Sequence, residues 1–211
     1  MNTNQNLQNV IKIPYKILKN VLKMNLKLVL LESMNKMDMS DIIKFYSKSK
    51  LFKEFSNFTL HSFEIDNNIF ISGEHAFHYF KYYLLSVKTE SLVRKDELEN
   101  YSLKFVGLEP HFKTPLDAKR GGGKRGKSLN NDEINFWNEI SSEVQYKICN
   151  SRISTDNDLK MFLLKSDNKY LLHQENRGKS PIWGGRIDKN TGELIGQNKL
   201  GKIWMKVREE L

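Results

Sequence analysis

Cysteine is nearly absent from this chain: Cys149 stands alone among 211 residues. One thiol closes no internal disulfide and builds no multi-cysteine zinc cluster. Disulfide scaffolds are thereby excluded, and a reducing, cytoplasmic setting is the simplest expectation. Long hydrophobic runs are missing too. In the N-terminal stretch the longest is Leu28 to Leu31, far too short to span a bilayer, and lysines interrupt any secretory core. Acid is missing from residues 1–31, the first being Glu32. Apolar and charged shares of 39% and 28% are ordinary for a globular chain and exclude collagen-like or disordered classes.

What is present is basic and aromatic. Twelve Phe, eight Tyr and three Trp can supply the core of one domain of this length, with a short appendage. The net charge of +9 favours an anionic partner: a phosphate, a nucleotide or a nucleic acid. Lysine and asparagine are used heavily throughout, so compositional bias is an equal explanation. Lys12, Lys16, Lys19, Lys23 and Lys27 recur among Ile17, Leu18, Val21, Leu22 and Leu26, the pattern of a basic amphipathic helix. A packed extra helix, a surface-binding helix and a leader all fit it. The expected division is a basic extension over 1–40 and a domain over 41–211.

Local patterns within that domain predict an α+β fold, mostly helical with a few short strands. Ile42 to Tyr46 reads as a strand, and Phe52, Phe55 and Phe58 as a tight helical turn. Ser62–Ile65 and Ile69–Ile71 flank Asp66-Asn67-Asn68, a hairpin signal. Ser72 or Gly73 opens a helix to about Leu85, and 86–105 carries another. Residues 107–130, with Pro110, Pro115 and Gly121-Gly122-Gly123, read as a long flexible loop. Asn131 or Asp132 caps a helix whose Ile134, Trp137, Ile140, Val144 and Ile148 share one face. A short helix at 157–165, a strand at 169–173, an irregular glycine-rich stretch at 175–197 and a final helix capped by Asn198 complete the chain.

The groups able to do chemistry gather on the helix after Ser72. Glu74 lies in its first turn, where the helix dipole suits a negative charge. His78 and Lys81 follow four and seven residues later, on the same face. Phe77, Phe80 and Tyr82 are placed to desolvate the Lys81 amine. Glu74 and His78 also have metal-ligand spacing, but no third ligand is evident, so no metal and no cofactor are expected. Trp183, before Gly184-Gly185, is expected either to stack on a base, its glycines admitting a phosphate to the backbone, or to anchor the loop as a core tryptophan. Asn57 in the Ser-Asn-Phe turn is expected either to meet ribose hydroxyls or to cap the turn. Lys119 to Lys127 form a basic glycine-rich segment suited to pyrophosphate or a nucleic-acid backbone, or equally to a solvated loop that repels itself, without the form of a P-loop.

Taken in order, several blocks resemble the NADAR (YbiA-like) family: Phe45-Tyr46, Phe55-Ser56-Asn57-Phe58, Gly73-Glu74-His75-Ala76-Phe77 with Lys81, Trp137, Trp183-Gly184-Gly185, and Gly196 to Gly201 with Met205 and Arg208. The resemblance spans roughly 42–211. It implies a compact YbiA-like fold and an N-glycosidase that breaks a ribosyl C1–N bond. The implied substrates are an ADP-ribosylated nucleobase or a phosphoribosylamino-pyrimidine of the riboflavin-pathway type, with ADP-ribosylated nucleic acid as a further candidate partner. The alternative is a non-catalytic module that binds ADP-ribose or NAD. On this resemblance Glu74 and Lys81 are the catalytic candidates. Trp183, Gly184, Asn57, His75, Phe77 and Glu175 are the binding candidates, His75 as an orienting residue. The acid that many members carry after the strand at 169–172 falls here on His173, with Glu175 two residues beyond, and no acid precedes Trp183.

Overall fold

The computed structural model describes residues 39–211. The basic helix expected near the N-terminus lies outside the described residues. The architecture is α+β, with helices dominating. Strand β1 (Ile42–Phe45) pairs in parallel with β4 (Tyr170–His173), which sets Phe45 opposite His173. Strands β2 (Leu60–Ile65) and β3 (Asn68–Ser72) form the expected antiparallel hairpin. Asp66 and Asn67 both take positive φ in its turn, a conformation their short polar side chains tolerate best among non-glycine residues. Two-residue strands β5 (Arg186–Ile187) and β6 (Leu194–Ile195) pair within the irregular stretch.

Helix α1 (Gly73–Lys88) starts where Ser72 accepts a hydrogen bond from the His75 N–H, satisfying one orphan donor of the first turn. It ends at Thr89, and α2 (Leu92–Ser102) follows after a short break. The long helix α4 (Asn131–Thr155) begins with a capping box one residue earlier than its sequence suggests: Asn130 accepts from Glu133 N, and the Glu133 side chain accepts from Asn130 N. The Glu133 carboxylate also takes two bonds from the Arg94 guanidinium at 2.8 Å, which ties α2 to the start of α4. Helices α5 (Asn157–Lys165) and α6 (Lys199–Glu209) close the chain.

The stretch expected to be a flexible loop is packed as a helix at its middle and irregular on either side. Thr114 caps helix α3 (Pro115–Gly122), with proline in its first turn. The glycines there answer to contact rather than flexibility. A β-carbon on Gly121 would come within 2.2 Å of the Phe112 ring, and one on Gly122 within 2.0 Å of the His78 ring. One on Gly126 would reach 1.6 Å from the Gly121 carbonyl oxygen. The sequence shows glycines but not the rings pressed against them. Asn198 also differs from expectation. It precedes α6 in the left-handed region and caps nothing with its side chain. That side chain instead donates to Leu171 O and Tyr170 Oη and accepts from His173 N, which locks α6 onto β4.

Two apolar clusters form the interior. One gathers around α1, with Phe70, Phe77, Phe80, Tyr82, Phe105 and Trp137. The other joins Phe45, Phe55, Leu171 and Trp204. Trp183 packs against both, and the main cleft opens at that seam.

Candidate functional site

The cleft encloses about 720 Å³, room for a nucleotide-sized ligand. Four pieces of chain supply its chemistry. The first turns of α1 bring Glu74, Phe77 and His78; the turn before β2 brings Ser56, Asn57 and Phe58; the end of β4 and the segment after it bring His173, Glu175, Arg177 and Trp183; and α3 with its C-terminal end brings Lys119 and Gly123. Lys48 and Gln145 are also among the polar lining.

Glu74 is only 9% exposed. Its N–H donates to Asn57 O at 2.9 Å, and its Oε1 accepts from His78 Nε2 at 3.1 Å. The helix start and one imidazole therefore orient the carboxylate. His78 Nδ1 is buried and has no hydrogen-bond partner among the described residues. Asn57 exchanges hydrogen bonds both ways with Gln145, at 2.7 and 3.1 Å. Gln145 has no exposed surface and also donates to Cys149 Sγ. Sequence reading missed Gln145 because a glutamine in mid-helix carries no signal without its partner. Burial pushes the Cys149 thiol up to about 12, so it is no nucleophile at neutral pH.

The lysine predicted by helical spacing is not the one in the cleft. Lys81 shares the α1 face of Glu74 and His78, but one turn further on, where α3 covers it. Its ammonium donates to Gly122 O at 2.9 Å, and burial holds its pKa below the ordinary lysine value. Lys81 is absent from the cleft lining and Lys119 is present, its ammonium 5.4 Å from the centre of the Phe58 ring.

His75 does not line the cleft either. Burial keeps its pKa below the usual imidazole value. Phe112 O can only accept, so Nε2 donates to it at 2.7 Å and Nδ1 accepts from the Ser72 hydroxyl at 2.7 Å. The ring pins the 110–113 segment under α3. Gly184 is likewise packed, since a β-carbon there would meet His173 O at 2.6 Å and Glu175 Cβ at 2.7 Å. Its bareness seats Glu175 rather than opening the backbone to a phosphate.

Trp183 forms the apolar wall, edge-on to Phe77 with centroids 5.0 Å apart. Its carbonyl accepts from Leu200 N and from His173 Nδ1 at 3.3 Å. The His173 ring stacks on Phe45, with centroids 5.3 Å apart, and desolvation holds its pKa below 6.5. The cleft thus carries two carboxylates, Glu74 and Glu175, and the cations Lys48, Lys119 and Arg177. Such a mixture suits a ligand with an anionic end and a centre that develops positive charge. Among the described residues no group of three or more His, Cys, Asp and Glu is placed to share a metal ion, and no helix is long and apolar enough to cross a membrane.

A family model described as NADAR domain matches residues 44–211. N-glycosidase YbiA of Escherichia coli strain K12 is 28% identical over 171 residues, covering 81% of this chain and 88% of that protein. The chloroplastic riboflavin biosynthesis protein PYRR of Zea mays is 26% identical over 174 residues, which are 82% of this chain and 25% of the maize protein. The solution structure of E. coli YbiA superposes with a TM-score of 0.55 at 24% identity, covering 84% of this chain and 88% of that one; the likeness is one of fold.

Proposed function

Because the chain belongs to the NADAR domain family, we propose that it is an N-glycosidase that hydrolyses the C1–N bond of a phosphate-bearing ribosyl compound. The substrate is an ADP-ribosylated nucleobase or a phosphoribosylamino-pyrimidine. One observation carries this reading: Glu74 and Glu175 share a cleft with the Trp183 wall and the cations Lys48, Lys119 and Arg177. Cleavage of a ribose C1–N bond passes through a state with positive charge at C1. A carboxylate held in place beside C1 stabilises that state without reorganising. Glu74, fixed by its helix start and by His78, has that role. The cationic lining holds the phosphate, and the Trp183 indole flanks the departing base.

The relatives' names favour the same chemistry, with YbiA called an N-glycosidase and the maize protein a riboflavin biosynthesis protein. The test is to incubate the purified protein with an ADP-ribosylated nucleobase, with NAD and with a phosphoribosylamino-pyrimidine. Free base is then followed by chromatography, with Glu74→Gln in parallel. Turnover by the wild type and its loss in the variant is the expected result. Equal absence in both rejects the reading.

A second reading, a module that binds ADP-ribose or NAD without cleaving it, is favoured by the position of Lys81, withdrawn from the cleft under Gly122. It predicts calorimetric binding of ADP-ribose without turnover of any ribosyl compound.

A further inference from the structure

The cleft holds an imidazole that the N-glycosidase reading leaves unused. His173 is the last residue of β4, and its ring is fixed three ways. The backbone is held by its pairing with β1 and by Asn198 Oδ1 on its N–H. The ring face rests on Phe45. Nδ1 lies 3.3 Å from the Trp183 carbonyl oxygen. A carbonyl only accepts, so Nδ1 carries the proton, and in the neutral ring Nε2 carries a lone pair. Nε2 has no protein partner among the described residues and is not sealed from solvent. It opens on the cleft that His173 lines.

We propose that His173 is the catalytic base of this cleft, taking the proton of the water that attacks the ribosyl C1. The proposal rests on the N-glycosidase reading. The water oxygen bonds to C1 as the C1–N bond breaks, and that bond's electron pair leaves with the nitrogen of the base. The water's proton moves to His173 Nε2 and then to the departing nitrogen. The imidazole ends as it began, and no oxidant or reductant is needed. His78 Nε2 is spent on Glu74, Glu74 is needed as charge, and Glu175 is the rival base that its own variant below separates from His173. The ionisable groups facing His173 come from each neighbouring element. Glu175 from its own segment and Glu74 from α1 favour its charged form, Lys119 from α3 opposes it, and burial outweighs them all in keeping it neutral. A base kept neutral at the working pH has its lone pair free to accept a proton.

The experiment is the pH dependence of kcat/KM on whichever ribosyl substrate the wild type turns over. A fall of tenfold per pH unit is expected once the pH drops beneath the depressed pKa of His173, on the acid side of an ordinary imidazole. Removing Glu175 as Glu175→Gln takes away a charge that favours imidazolium, so the acid limb should move to lower pH; Lys119→Met should move it higher. His173→Gln should lower kcat by about 10²–10⁴-fold with KM little changed, and added imidazole should restore part of the rate in His173→Ala. If Glu175→Gln abolishes the limb, or if His173→Gln keeps the wild-type rate and limb, the assignment to His173 is overturned while the N-glycosidase reading stands. A wild type that turns over no ribosyl compound overturns both. A His173→Gln protein that melts early leaves the limb shifts in the two charge variants to decide.

Discussion

The contact between Gly122 and His78 offers a direct test of whether the basic glycine segment is a packed helix. A methyl group on Gly122 would stand 2.0 Å from Cγ and Nδ1 of the His78 ring, roughly 1.5 Å inside ordinary contact. His78 has nowhere to go. Its ring is flanked by Phe77 and Phe105 at centroid distances of 5.5 and 5.8 Å, and its Nε2 is held by Glu74. Gly122→Ala must therefore push α3 outward, at the cost typical of overpacking, about 1–3 kcal/mol. For a chain of this size that corresponds to a fall in Tm of about 2–12 °C. Lys119, one turn earlier on the same helix, would leave the cleft with α3, so ligand affinity should fall as well. Gly192→Ala is the control. Its β-carbon meets nothing within 4 Å, but its φ of +74° costs the substituted residue about 1–2 kcal/mol, with no path to the cleft. Differential scanning calorimetry and ADP-ribose titration read the two effects. If Gly122→Ala melts within about 1 °C of wild type, below the smallest shift expected, and binds ligand normally, α3 is not seated on α1 and the argument fails.

Further expectations rest on other contacts. Lys119→Met should weaken binding of a phosphate-bearing ligand about tenfold, the loss of one charge-assisted contact. Lys81→Met should leave affinity nearly intact but destabilise by about 1–3 kcal/mol, because Gly122 O loses its buried donor; the opposite ranking in calorimetry would return Lys81 to the site. Asn198→Ala removes three buried hydrogen bonds and should cost about 3 kcal/mol at about 1 kcal/mol each, seen as a lower urea midpoint; a shift under a third of that would show that α6 is held to β4 by apolar packing alone. Burial depresses the pKa of both His75 and His173. Below 6.5, and down to the depressed values, the unfolded chain binds more protons than the folded one, so stability should fall as pH is lowered through that window and level off beneath it. Urea midpoints that stay flat or rise between about pH 7 and pH 5, above the range where carboxylates titrate, would refute this.

Much of the architecture follows from local pattern. The alternation at 60–72 around Asp66-Asn67 specifies a hairpin, Ser72 carries its own capping chemistry, the cap of α4 falls one residue before the position read from sequence, and most apolar positions of α4 and α6 mark their buried faces, Ile134 and, past the end of α6, Leu211 being exposed. Glu74 is legible as a first-turn carboxylate for the same reason: the signal and the structure lie within four residues of each other. Misreadings arise where the partner is remote. Helical periodicity places Lys81 beside Glu74 but carries no information about depth, and it is α3, docked on His78 from more than forty residues away, that closes over Lys81 and brings Lys119 to the cleft instead. The same docking turns a run of glycines that resembles a flexible loop into a tight contact surface. His173 reads in sequence only as the place of a missing acid. The parallel pairing with Phe45, the Trp183 carbonyl and Asn198 together orient its ring and leave Nε2 facing the cleft. The sequence alone determined the elements and the candidate carboxylate. Only the packing of distant segments decided which amine and which imidazole share the cleft with it, because periodicity records the face of an element and not what comes to rest against it.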